Sequence, residues 1–447
     1  LDFIEACRNF IAVDSTPQQS SKEIVEFAAK LCQEKGLHVE LQEEVLGGQE
    51  EFNLIARPQP RSPTLEFLFQ THLDTVDPGP FQMWQQNRHN PFDATIIDGK
   101  IYGLGAADVK LDFLCKLEAI GKYASRSSWK LPPVLVGTFG EEAGMQGALK
   151  LIRKNKVSAK MALIGEASNL NLINAAKGFA RVEIRIPFSP EEVSYRQEHN
   201  MRESTSTQSK VFHGQAAHSS TPHLGDSAIV KMMEYLTQLP DGVSLMEIDG
   251  GTNFNTVPAH AFIEVDITPV KQPMTKKLQR IYSAIKELES DMKRHKDPDF
   301  YPDHATLSIG IIRTFEDHVF VSGNCRIPPN ISQAIYEGWM KELQTICENN
   351  SASFRVADYK KPFRTMPNSI LVKGCLDELR HLGLPDKCIT QPSSNEASIF
   401  SRIGIECLCF GPGVREGNIH TPSEHVGIED LKKAVSFYER VIERFCL

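Results

Sequence analysis

At five places along this chain a His, Asp or Glu stands at or just beyond the end of a predicted strand, and that placement constrains the fold more than any other feature. Residues 65–71 (LEFLFQT), 133–139 (PVLVGTF) and 161–165 (MALIG) are apolar runs of buried-strand length. Helical stretches are predicted between them at 111–124 and 144–155. Strands alternating with helices predict an α/β fold with a mixed, mainly parallel sheet covered on both faces. In open sheets of this kind, ligands bind beyond the carboxyl ends of the strands.

With 447 residues the chain exceeds one compact core, and two domains are expected. Residues 21–36 read as a helix that ends on Gly36. Near residue 179 the pattern changes. FARVEIRIPF alternates like a half-exposed strand, and the polar stretch 189–210 reads as a loop or mobile excursion. Strands at 262–268, 305–313 and 318–326 then mix with helices at 226–238, 275–295 and 331–348. From about 366 the first style returns, with a helix at 368–382, a strand at 403–410 and a last helix at 428–445. The expected architecture is an α/β catalytic domain, residues 1–178 and 366–447, interrupted by an inserted α+β domain, residues 179–365.

The formal net charge is −8, which speaks against a nucleic-acid partner and weakly against an anionic membrane surface. The ten cysteines form no C-x-x-C pair and lie in apolar runs, as reduced core thiols do. That pattern, with no basic segment of signal-peptide type at the start and no apolar run of membrane-spanning length, leads to the expectation of a cytoplasmic protein.

The first of the five places is Thr71-His72-Leu73-Asp74-Thr75. His72 and Asp74 share a face in extended chain, and a metal-bound imidazole commonly hands its second N–H to a carboxylate. A strand end with a capping Asp accounts for the pair equally well. The second is GLGAADVK, where Asp108 precedes a helix; alone, such an Asp is usually an N-cap. The third is Gly140-Glu141-Glu142-Ala143-Gly144. Two adjacent carboxylates repel unless a cation is near. One of them can bind a metal while the other acts as a base. Glu166 after MALIG, and His420 after CLCFGPG, complete the set. His72, Asp108, Glu142, Glu166 and His420 make a mixed N/O donor set that suits zinc, cobalt or manganese. Five ligands are too many for one open catalytic zinc. They suit two divalent ions sharing a carboxylate, about 3.5–4 Å apart in such sites.

The order and spacing of THLDTVDPG, PFDATIIDGKIYGLGAADVK, GTFGEEAGMQG, LIGEAS, HGQAAHSSTPHLGDSAI and FGPG followed by IHTPSEHV resemble the M20 family of metallopeptidases and deacylases. That family includes acetylornithine deacetylase, succinyl-diaminopimelate desuccinylase, aminoacylase and related carboxypeptidases. The resemblance implies His72 and Glu166 on one ion, Glu142 and His420 on the other, and Asp108 bridging. It implies Glu141 as general base and Asp74 as the orienter of His72. The insert becomes a lid and dimerisation domain, from which His218 reaches a partner subunit's site in a homodimer and stabilises the oxyanion. Asn255 in GGTNFNTVP matches the family's substrate loop. The family's carboxylate-binding Arg is replaced by Thr268 here, and Arg326 on a later strand is the candidate for its role. Leu104 also departs, standing where the family often has Arg, at a position that binds no metal. Gly411 and Gly413 are expected to bring backbone N–H groups to the substrate carboxylate. The implied substrate is a small N-acyl amino acid, with a dipeptidase or carboxypeptidase activity as the alternative. A binding protein that kept the fold without turnover, and an enzyme with a single ion, are the rival readings.

Overall fold

The computed structural model describes residues 2–61, 64–201, 208–271 and 273–447. They form two compact units. The first holds the chain up to Ala175 together with Phe363–Thr390 and Asn395–Leu447, and the second holds Ala176–Pro362 with Gln391–Ser394.

The first unit is built on a mixed nine-stranded sheet. Its centre is parallel: Pro133–Thr138, Glu66–His72, Ala159–Gly165 and Glu406–Phe410 lie side by side in that order. Antiparallel strands flank them, His38–Leu46 and Gln49–Arg57 on one side and Leu172–Ala176 on the other. Glu66–His72 is buried along its whole length, as a parallel strand covered on both faces must be. The helix Ile428–Phe445 buries Leu431, Ala434, Tyr438, Val441, Ile442 and Phe445, a stripe at helical spacing. Phe69 meets Tyr438 edge-on at 6.1 Å, so this last helix closes the core over a central strand. The predicted strand at 403–410 is shorter than expected. Residues Ser401–Ile403 form a 3₁₀ turn and Gly404 takes a left-handed φ of 84°, so pairing starts only at Glu406.

The second unit is an antiparallel seven-stranded sheet, in the order Gln208–His213, His260–Ile267, Val243–Gly250, Thr306–Thr314, His318–Ile327, Gly178–Pro187 and Ser353–Lys360. Helices Ala228–Thr237, Met274–Met292 and Gln333–Asn349 supply its core with Met232, Leu236, Leu278, Ile285, Trp339 and Leu343. The stretch 189–210 is not a simple loop. Pro190–Glu198 is a helix capped by Ser189, whose hydroxyl accepts from Glu192 N–H at 3.2 Å, and the stretch ends by entering the strand Gln208–His213. Residues 202–207 lie outside the described residues.

Glu192 accepts the Met274 N–H with both carboxylate oxygens, at 3.0 and 3.1 Å. Burial pushes its carboxyl from the ordinary 4.5 up to about 7, against the pull of the Met274 N–H and Arg196. The native state therefore holds this proton more tightly than the unfolded chain does. The group's contribution to stability falls as pH rises from 4.5 to 7 and is flat above. Glu192→Gln should melt like the parent below pH 4.5 and higher than the parent at pH 8. Thermal melts across that range check this, and a difference independent of pH would overturn it. Among the described residues no helix is long and apolar enough to cross a membrane, and all ten cysteines are free thiols.

Candidate metal centre

Each candidate donor of the first unit emerges where a central strand runs out or in a loop packed against such an end. His72 is the last residue of its strand and lies in parallel register beside Thr138, the last residue of the next. From there the chain turns through Gly140 to Glu141 and Glu142. Glu166 follows Gly165, whose register partner is Phe410. The loop after Phe410 crosses close to its neighbours. A Cβ on Gly411 would lie 2.3 Å from the Glu166 carbonyl oxygen, and one on Gly413 2.2 Å from that of Ala107. Glycine at both positions lets the donor-bearing loops approach. This corrects the expected role of Gly411. Its N–H donates to Ser168 Oγ at 3.0 Å and its carbonyl accepts from Leu170 N–H at 2.9 Å, so its backbone is engaged in packing and not offered to a substrate.

Asp108 sits in a loop held by a carboxylate from the other end of the chain. Glu424, 1% exposed, accepts the N–H groups of Gly105 (3.1 Å), Ala107 (2.8 Å) and Asp108 (3.0 Å). His420, four residues earlier on the same segment, stands at a left-handed φ of 56°. Such a conformation is costly for a residue with a Cβ and persists only where its surroundings impose it. Asn418 supplies part of that constraint, donating to Val414 and His425 carbonyls at 2.9 and 2.8 Å and accepting from His425 N–H at 3.0 Å.

The donor atoms converge. Asp108 Oδ1 lies 3.5 Å from His72 Nε2, and Asp108 Oδ2 lies 3.2 Å from His420 Nε2. His420 Nε2 is 3.0 Å from Glu142 Oε1. Two ligand atoms on one tetrahedral zinc, each at about 2.0–2.1 Å from the ion, are themselves roughly 3.3 Å apart. The spacing and the N/O chemistry of these side chains therefore fit bound divalent ions. Among the described residues the donors fall into two groups with atoms mutually within 4.8 Å: His72, Glu141 and Glu142, and Asp108, Glu142 and His420. Glu166 joins neither. Its carboxylate pairs with the Arg415 guanidinium at 3.3 Å.

Electrostatics follow from this crowding. Burial disfavours charge on His72 and His420, but hydrogen bonds to carboxylates outweigh it. His72 is held well above its ordinary value by Asp108 and Asp74, and His420 is raised to about 11 by Asp108 and Glu142. Burial likewise opposes ionisation of Asp108, yet the two imidazoles hold its carboxyl below the usual range. Glu141 goes the other way, raised well above the usual range by burial and by the charge of Glu142. Asp74 does more than orient His72. The imidazole Nδ1 lies 3.1 Å from the Asp74 carbonyl and 3.6 Å from its carboxylate, while that carboxylate accepts the N–H groups of Glu141 and Glu142, both at 3.0 Å. One side chain thus positions an imidazole and the adjacent pair of carboxylates.

In the second unit, residues far apart in sequence meet. Arg326 is buried, with Nη2 3.2 Å from Ser219 Oγ and 3.3 Å from Asn255 Oδ1, and its guanidinium lies over the Phe179 ring at 4.8 Å. Strand pairing sets this up, because Arg326 is in register with Phe179 on one side and Thr306 on the other. His218 Nδ1 accepts the Ser220 N–H at 3.1 Å, which places the proton of the neutral ring on Nε2.

A family model described as peptidase family M20/M25/M40 matches residues 68–444. The chain belongs to that family. It is thereby an M20 hydrolase, of a family that acts on amide bonds. It is 22% identical to an acetylornithine deacetylase of Myxococcus xanthus over 98% of this chain and 95% of that one. An acetylornithine deacetylase of Erwinia tasmaniensis is 31% identical over 53% of this chain, and the match spans 55% of that enzyme. Among solved structures, aminoacylhistidine dipeptidase from Vibrio alginolyticus superposes with a TM-score of 0.66 at 14% identity, covering 99% of this chain and 96% of that one, a likeness of fold.

Two residues that pack against these donors escaped the sequence reading: Glu424 and Arg415. Glu424 was in view within TPSEH, four residues after His420, but nothing local marks a loop carboxylate as buried. Arg415 carries no signal beyond its place between FGPG and His420.

Proposed function

We propose that this M20 protein is a dinuclear metal-dependent hydrolase that removes the acyl group from a small N-acyl amino acid, in the manner of a deacetylase or desuccinylase. The observation that carries the reading is Asp108, whose two oxygens each lie at ligand-pair distance from a different imidazole. Two divalent ions are proposed, zinc with cobalt or manganese as alternatives. His72 and Glu166 would hold one, Glu142 and His420 the other, and Asp108 would bridge. Ions bound there supply Lewis acidity toward the amide carbonyl and lower the pKa of water. Glu141 takes the proton from the attacking water and returns it to the leaving amine. Its carboxyl is raised by burial and by the charge of Glu142, the direction that favours holding the proton it takes up. Asp74 keeps Glu141 and Glu142 in place through their backbone N–H groups. The buried Arg326, with Asn255 beside it, would receive a substrate carboxylate, which a guanidinium fork fits. His218, with its proton on Nε2, would stabilise the developing oxyanion across a homodimer. The deacetylases among the relatives support the choice of an N-acyl amino acid.

The test is a hydrolysis screen of zinc- or cobalt-loaded protein on N-acetyl and N-succinyl amino acids beside dipeptides, with elemental analysis. Release of acetate or succinate is expected, lost with a chelator and restored by metal, at about two ions per chain. Cleavage of dipeptides alone would move the protein to the peptidase branch, and full activity with one ion per chain would sink the dinuclear reading.

A further inference from the structure

Close to the metal donors lies a buried carboxyl group that the hydrolytic scheme does not use. Glu396 is 1% exposed and stands at the start of the short helix Ala397–Phe400. Its Oε2 accepts from Gln70 Nε2 and, at 2.9 Å, from Thr138 Oγ1. Gln70 Nε2 also donates to Thr138 Oγ1 at 2.9 Å. Gln70 is two residues before His72 and Thr138 three before Glu141, so this triangle joins the ends of the two strands that carry those groups. The remaining oxygens stand out. Glu396 Oε1 and Gln70 Oε1 are both buried, and neither has a hydrogen-bond partner among the described residues. Orphaned buried acceptors call for a cause. Here two of them sit on side chains already in contact, and both are acceptors only while Glu396 is ionised.

We infer that Glu396 is a neutral acid that donates its proton from Oε1 to Gln70 Oε1, closing an acid–amide ring that positions the strand ends of the metal centre. One proton satisfies both orphaned oxygens. The charged surroundings agree: burial and the nearby Asp74 push the carboxyl up, opposed by His72, to about 7. A further buried anion near Asp74, Glu141 and Glu142 would be costly, whereas a neutral acid joins the strands without adding charge. Glu396 is thus a positioning residue, and the inference rests on the proposed hydrolase reading only for the identity of the centre it supports.

Glu396→Gln has the shape and hydrogen-bonding pattern of the neutral acid, and Glu396→Ala has neither. Infrared difference spectra between the parent and Glu396→Gln should show the C=O band of a protonated carboxylic acid, lost in the variant. In chelator competition with zinc, Glu396→Gln should bind within about threefold of the parent, and Glu396→Ala about 10–100-fold more weakly, as loss of a supporting partner does. The pH profile of whatever turnover is found should be unchanged in Glu396→Gln. Absence of the acid band, or weakening of zinc binding by Gln as large as by Ala, would overturn the inference. Infrared and zinc measurements need no substrate, so failure of the deacylase reading would leave this test intact.

Discussion

Glu141→Gln is expected to lose about 10²–10⁴-fold in turnover while metal binding survives. The argument begins with position. Glu141 and Glu142 are adjacent, so both leave the end of the same strand, yet they differ in surroundings. Glu142 lies 3.0 Å from the His420 imidazole, whereas burial and its neighbour's charge push the Glu141 carboxyl up. A carboxyl pushed in that direction is a stronger base than an ordinary carboxylate, as the role of proton acceptor requires. The amide keeps the shape and removes that capacity, and the backbone N–H held by Asp74 is untouched. Steady-state kinetics beside elemental analysis decide the matter. Near-parental turnover would remove Glu141 from the role of base. Loss of an ion along with activity would make it a ligand, a role its place in a group with His72 and Glu142 allows.

Asp108→Asn is expected to weaken binding of both proposed ions, each by more than about 100-fold, beyond what loss of a supporting partner costs. The reason is geometric. One carboxylate faces His72 with Oδ1 and His420 with Oδ2, so a single change of charge reaches both sites. An amide turns an N–H₂ toward one imidazole and leaves an uncharged oxygen toward the other. The loop itself should survive, since Glu424 holds the Asp108 backbone N–H and not the side chain. Chelator competition followed for each ion checks this. If one ion kept its parental affinity, Asp108 would not bridge, and the single-ion reading would gain.

The place of His72, Glu142 and Glu166 at the sheet's carboxyl edge was legible from sequence, because a polar group directly after a buried strand has only that edge to occupy. The last helix was legible for a similar reason, its apolar stripe recurring at the period of the helix. The helix Pro190–Glu198 was missed, although a local sign of it is present. Ser189-Pro190-Glu191-Glu192 is a capping signature with proline at the first helical position, in a segment too polar for periodicity to reveal. Gly411 was misjudged because the same small residue serves close packing and backbone exposure, and only the 2.3 Å approach of the Glu166 carbonyl separates the two.

Sequence by itself determined which residue types stand at strand ends and the alternation that makes a parallel-centred sheet. Those features repeat over two to four residues and report on local backbone geometry. Tertiary structure alone decided which charges are partnered. Glu424 reaches the N–H of Gly105 from 319 positions away, Glu396 reaches Thr138 across 258, and Arg326 finds Asn255 across 71. The partner of a buried charge is chosen by where strands pair and loops cross, and no local pattern carries that information.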